Sequence, residues 1–299
     1  MWTKLPSTSG LERAETLIEI AKYAYQRGAS HEVLAIIEEA REIYISAKSH
    51  AVTDELVDLY EGLGHTFGRL NRYQEATASI KKAVELLEGE AFASRRAHLV
   101  KVGAHLAFDA ENWEAAKDGF AEAAQIDELE GETFILAEDL FNLGSAYIEL
   151  SQYDEALKCY ERAAKLYREF GDIASTGHSY QRAAEALFYK GEGLEALSRS
   201  TKAIDIARLS RNNFRIAYST FVHGRIKRLL GELDEAKVLL EESLDTNSAF
   251  PSMHWNLALD CERELAFIAR ALGDEAKAQE IEGRVKTLSE IMAEDDDTK

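Results

Sequence analysis

Residues 140–163 read LFNLGSAYIELSQYDEALKCYERA. Leu140, Leu143, Gly144 and Tyr147 recur at spacings of three and four, which puts them on one face of a helix. Ala156, Tyr160 and Ala163 form a second set with the same helical spacing. Ser151-Gln152, between the two sets, marks a short turn. The stretch predicts two amphipathic helices folded back on each other. Gly144 and Ala156 are small where the two backbones cross closely, and larger residues fill the space around them.

One such pair cannot bury its own apolar face, so further copies are expected. Tyr60, Leu63-Gly64, Phe67, Ala76, Ile80 and Ala83 repeat the pattern with the same internal spacings. The small residue of the second helix recurs at Val33, Ala76, Ala116, Ala156, Ala196, Ala236 and Ala278, in steps of 43, 40, 40, 40, 40 and 42. Seven helix pairs therefore account for nearly the whole chain. β-branched alternation is almost absent, so no sheet is expected.

With these residues in view, the chain resembles the tetratricopeptide repeat (TPR), whose pattern is W-x2-L-G-x2-Y followed by A-x3-F. Leu140 stands at the Trp position and Tyr160 at the Phe position. The step of about 40 exceeds the usual ~34, which adds roughly 9 Å of helix per repeat. The usual terminal Pro is also missing, since Pro6 and Pro251 are the only prolines. Both departures resemble the long-period subclass seen in spindle-orientation scaffolds, kinesin light chains and Rap-type peptide receptors. The resemblance implies an all-α, TPR-like solenoid of seven antiparallel helix pairs forming a right-handed superhelix.

In chain order, residues 1–10 are expected to be a flexible N-terminus, with Ser9 and Glu12 as a capping box for the first helix. The helical repeat domain spans 11–293 with no internal boundary. Its pairs turn at Gly28-Ala29-Ser30, Asn71, Glu111-Asn112, Ser151-Gln152, Gly191-Glu192-Gly193, Gly231 and Gly273-Asp274. Gly131, Gly171 and Asn212 are the expected left-handed residues between pairs. Gly103-Ala104 replaces Leu-Gly in the third pair, which predicts thin packing there. In the sixth pair His223 and Lys227 fall on core positions, and Val222 and Ile226 suit a one-residue rotation of the helix. Thr246–Pro251 reads as a loop, and 294–299 as a disordered acidic tail.

Composition narrows the function. The net charge is −19, which disfavours general binding to nucleic acid or anionic membranes. Cys159 and Cys261 are the only cysteines, without CxxC spacing, as in a reducing cytoplasm. The sequence lacks GxSxG, Walker, HExxH and paired CxxC motifs, so no enzyme activity, cofactor or metal is expected. Glu61, His65 and His98 are the one set that adjacent first helices bring near each other, and a fourth ligand is not evident.

The expected activity is non-enzymatic: an interaction module that binds a peptide or protein segment. The resemblance implies a concave groove lined by the first helix of each pair. Asn142 is the candidate clamp for a bound backbone, because an amide both donates and accepts. Arg182, Tyr218, Phe221, Arg225 and Arg228 are the basic and aromatic candidates of the fifth and sixth pairs. Arg263, Phe267 and Arg270 continue them into the seventh. From Arg199 to Arg228, eight bases face one acid, Asp205, so this run carries +7 and the remainder −26. Two readings follow: a dock for acidic groups of the partner, or Arg and Lys heads paired to acidic faces of neighbouring repeats. A Rap-like peptide-sensing regulator and a structural subunit that self-associates through its solenoid are the alternative functions.

Overall fold

The structure, a computed structural model, describes residues 10–26, 30–47, 53–87, 92–248 and 254–296. Fourteen α-helices and no strand lie among them. The first eight are α1 (Gly10–Gln26), α2 (Ser30–Ala47), α3 (Thr53–Arg69), α4 (Tyr73–Glu85), α5 (Ala93–Asp109), α6 (Trp113–Glu130), α7 (Thr133–Glu149) and α8 (Tyr153–Phe170). The remaining six are α9 (Ile173–Lys190), α10 (Gly193–Ser210), α11 (Asn213–Leu229), α12 (Leu233–Ser248), α13 (Trp255–Ala271) and α14 (Glu275–Asp296).

The turns within pairs share one device. Asn71, Glu111, Ser151, Gly191, Gly231 and Gly273 each take a positive φ. This lets the chain close the preceding helix: the Gln152 N–H donates to Tyr147 O at 2.8 Å, and the Glu192 N–H to Leu187 O at 2.9 Å. These bonds satisfy carbonyls that a helix end would otherwise leave open. The turn expected at 28–30 lies largely outside the described residues.

Between pairs, Gly131, Gly171 and Arg211 are left-handed. Asn212 was the expected third member, and this is corrected. Its side chain instead caps α11, accepting the Arg215 N–H at 3.0 Å. Asp172 does the same for α9, accepting from Ser175 at 3.0 Å. An N-cap needs its side chain free to reach back to the helix, so Asn takes that post and the residue before it takes the strained φ.

The chain divides into two compact units, Met1–Ala146 and Tyr147–Lys299, where the sequence shows no boundary. In the first, Leu17, Ile37, Tyr60, Leu63, Phe67 and Ile80 form the core. In the second, Leu187, Phe221, Ile226, Leu240, Leu265 and Ile268 do so. All seven small residues of the second helices, Val33 through Ala278, are 0% exposed. A Cβ added to Gly64 would come within 2.5 Å of Ile80 Cδ1, so that crossing admits only glycine without a shift.

Three further expectations meet the structure with mixed outcome. The third pair packs closely rather than thinly: a Cβ on Gly119 of α6 would lie 2.8 Å from the Ala104 Cβ. In the sixth pair Val222 and Ile226 are buried while His223 and Lys227 are only half-buried, as a one-residue rotation expects, yet the crossing glycine keeps its place. Gly224 keeps the small-residue register, with Leu240 3.0 Å from where its Cβ would be. His223 is half-buried, with Nδ1 2.7 Å from Ser200 Oγ, and the Lys227 amine lies 3.0 Å from Glu235. Val222 and Ile226 are buried because α11 meets α9, α10, α12 and α13 and so buries a wide arc. Finally, α12 reaches Ser248 and α14 reaches Asp296, so 246–248 and 294–296 are helical. Residues 1–9, 249–253 and 297–299 lie outside the description.

Candidate interaction site

The second unit places most of the candidate residues on three first helices, α9, α11 and α13. Tyr218, Phe221, Arg225 and Arg228 follow one another at three, four and three residues and share a face of α11. The α13 face opposite carries Asp260, Glu264 and Phe267. Glu264 joins the two helices: its carboxylate accepts from Arg225 Nε at 3.0 Å and lies 2.5 Å from Arg228 Nε. Both guanidinium groups also lie on rings. Arg225 Cζ is 4.6 Å from the Phe188 centroid and 5.4 Å from that of Phe221. Arg228 Cζ is 4.6 Å from the Phe267 centroid. An Arg held edge-on by a carboxylate and face-on by an aromatic ring has few rotamers left, so this face is rigid.

One turn along, α9 contributes a second centre. Arg182 pairs with Glu185, which also accepts from Gln181 at 3.2 Å. The Arg182 guanidinium lies 5.7 Å from the Tyr160 ring. Burial opposes the Arg182 charge, but Glu185 and Tyr160 outweigh it and hold the group protonated more firmly than usual. The Glu185 charge and then burial raise the Tyr218 phenol. Burial pushes His178 down to about 4, with Arg215 and Arg182 adding to the effect, so it is neutral at physiological pH.

The remaining candidates are placed differently. Phe221 is buried in the core and backs the site from beneath. Arg263 is exposed and lies 3.6 Å from Asp260. Arg270 turns towards α14, within 3.2 Å of Glu275 and 2.7 Å of Glu282, away from Arg225 and Arg228. Asn142 is half-buried on α7, in the first unit. Glu264, which ties the centre together, was missed. Its signal was the Asp260–Glu264–Phe267 spacing, which repeats the face of α11.

The basic run from Arg199 to Arg228 is largely paired. Arg199 bonds to Glu161 at 2.9 Å, Arg208 lies 3.7 Å from Glu242, and Arg215 donates to Ala174 O at 3.1 Å. Lys202 sits 5.7 Å from the Tyr180 ring. Arg199, Arg208, Arg225 and Arg228 pair with acids of neighbouring repeats, whereas Lys227 pairs within its own repeat and Lys202, Arg211 and Arg215 meet no acid in an ion pair among the described residues.

Among the described residues no group of three or more His, Cys, Asp or Glu is placed to hold a metal ion. Glu61 does approach His98 at 3.1 Å and His65 at 3.8 Å, but the Arg95 guanidinium is also there at 3.6 Å. Burial pushes both thiols, Cys159 and Cys261, up to about 12, which leaves them poor nucleophiles. Beside His178 and Arg215 lies a cavity of about 10 Å³, room for about one water. No described helix is long and apolar enough to cross a membrane.

A chain of paired helices with small residues at fixed crossings and a polar-aromatic inner face is a helical-repeat protein. Two of its stretches match the family model described as tetratricopeptide repeat, residues 57–86 and 137–170, the same two singled out in the sequence. "Tetratricopeptide repeat protein 29" of Homo sapiens is 26% identical over 117 residues, 39% of this chain and 25% of that protein. The match thus spans about a quarter of the length of the curated relatives. Among solved structures, a Rap protein complexed with Competence and Sporulation Factor is similar at a TM-score of 0.62 and 16% identity, covering 93% of this chain and 77% of that one. The TPR-like repeats of a Podosopora anserina putative kinesin light chain are similar at 0.56 and 18%, covering 68% and 98%. At these identities the likeness is one of fold.

Proposed function

We propose that the chain is a non-enzymatic, cytoplasmic interaction module, and that the α9–α11–α13 face holds a segment of a partner protein bearing carboxylates. The carrying observation is the Arg225–Glu264–Arg228 centre. Two Arg and one Glu leave one positive charge; both arginines approach Glu264 through Nε and Arg225 also meets the Tyr189 hydroxyl, so an incoming carboxylate would use the remaining N–H donors, chiefly those of Arg228. Tyr189 and Phe267, both partly exposed, flank it as apolar anchors. The similarity to a Rap protein solved with a bound signalling factor is consistent with this reading.

Reversing Arg225 and Arg228 to Glu would be a poor test, because it packs three carboxylates together. A photo-crosslinking residue at position 267 should capture a discrete partner, and Arg228→Gln should reduce capture at least tenfold with helicity retained. Lys286→Gln, on an exposed lysine, should not. Equal capture by all three proteins would refute the site.

A further inference from the structure

The ends of α8 and α10 meet the starts of α9 and α11 along one edge of the second unit. Three large apolar side chains are exposed there: Phe170 at 64%, Ile173 at 53% and Leu209 at 72%. They are neighbours. Ile173 and Ile206 line the same small cavity, Leu209 lies one turn beyond Ile206 on the same face of α10, and Phe170 precedes Ile173 across the Gly171 turn. Soluble chains seldom leave such residues grouped in water without a use for them.

The rim is basic. Arg168 and Arg208 occupy equivalent last-turn positions, forty residues apart, and both are exposed. Arg211 is exposed at the left-handed turn, and among the described residues it has no charged partner. Arg208 reaches only Glu242, at 3.7 Å and in solvent. Acids also stand nearby: Asp172 caps α9, and Glu169 lies 3.9 Å from Lys165. Arg168 and Arg211, however, have no charged partner among the described residues, so this edge sets two unengaged guanidinium groups beside an apolar cluster. It is separate from the α9–α11–α13 centre, whose arginines are already held by glutamates.

We propose that this edge is a second docking surface, and that its occupant is an acidic protein segment carrying apolar side chains. Charge complementarity selects the acidic class: unengaged guanidinium groups bind carboxylates at contact, while Phe170, Ile173 and Leu209 take the apolar residues. An anionic membrane is the poorer fit. A bilayer presents its charge to the whole face of a strongly acidic chain, whereas a short segment meets only the basic edge.

The test uses the full chain and a short fluorescent peptide with Glu and Leu at helical spacing, alongside its twin with Lys for Glu. The acidic peptide should bind and the basic twin should not. Phe170→Ser with Leu209→Ser, and separately Arg168→Gln with Arg211→Gln, should each weaken binding at least tenfold. All four side chains are exposed, so melting temperatures should be unchanged. Lys158→Gln, exposed on α8 but off the edge, should bind as wild type. Failure of the wild type to bind, binding unchanged in both double variants, or preferential sedimentation with phosphatidylserine vesicles would overturn the proposal.

Discussion

Asp139 on α7 is fully buried in the first unit, and its position is set by charge. Its carboxylate lies 2.7 Å from Lys101 Nζ, and the same amine is 3.8 Å from Asp127. Burial, then the hydrogen bond to Asp127, raise Asp139 to about 7 against the pull of Lys101. Two acids and one base in an apolar setting carry one negative charge too many unless a proton is kept. The folded chain therefore holds a proton that the unfolded chain releases between about pH 4 and 7. Stability from this group is highest at the acid end, falls as pH rises through that window, and levels off above it, by at most ~1.4 kcal/mol per pH unit. Asp139→Asn should remove that slope, so that its melting temperature exceeds that of wild type at pH 8 by more than at pH 5. An unchanged slope in urea or thermal titrations would show that Asp139 is ionised throughout. None of this is legible in the sequence around Lys101. A lysine one turn from His105 looks exposed in sequence, and only the packing of α5, α6 and α7 reveals two acids beside it.

At the scale of elements, the forty-residue step carries most of the information. The small residues that fix the crossings were legible because size and spacing agree at seven places. Arg211 was not, because a left-handed arginine has no compositional mark and only the step from Gly171 points to it. The cross-helix ion pairs were illegible for a different reason. Pairing of Arg225 with Glu264 depends on which faces adjoin, and the sequence gives charges without faces. Two predictions belong here. Ala156 is wholly buried, so Ala156→Leu should cost roughly 1–3 kcal/mol by overpacking; an unchanged melting temperature would show that the site has room for the larger side chain. Glu111 and Ser151 take φ near +58° and +57° where later pairs use glycine. The strain of a side chain there exceeds the entropy that glycine costs. Glu111→Gly and Ser151→Gly should each stabilise by about 0.5–1 kcal/mol, and Asn71→Gly by less, because asparagine tolerates this conformation. Destabilisation of all three in chemical denaturation would mean the turns are held by contacts of those side chains.

For the whole molecule, charge decides between an interaction module and a subunit that assembles with itself. Fifty-four acids oppose thirty-five bases, and many of the bases are spent in ion pairs between neighbouring helices, so much of the excess acid lies in solvent. At pH 8 copies of the chain repel each other, and only a specific interface of substantial area could hold a dimer together. Near the isoelectric point of about 4.9 the repulsion vanishes, and association needs no specific surface. Light scattering across this range should therefore show a monomer at pH 8 and loose, concentration-dependent association near pH 5, reversed by raising the pH. The exposed edge around Phe170 and Leu209 sharpens the test, because its unengaged Arg168 and Arg211 would meet the acidic remainder of a second copy. If it served self-assembly, a dimer would persist at pH 8, weaken with salt, and dissolve in the Arg168→Gln, Arg211→Gln variant. A salt-sensitive dimer of that kind would favour the structural-subunit reading; a monomer at pH 8 leaves both surfaces open to other proteins.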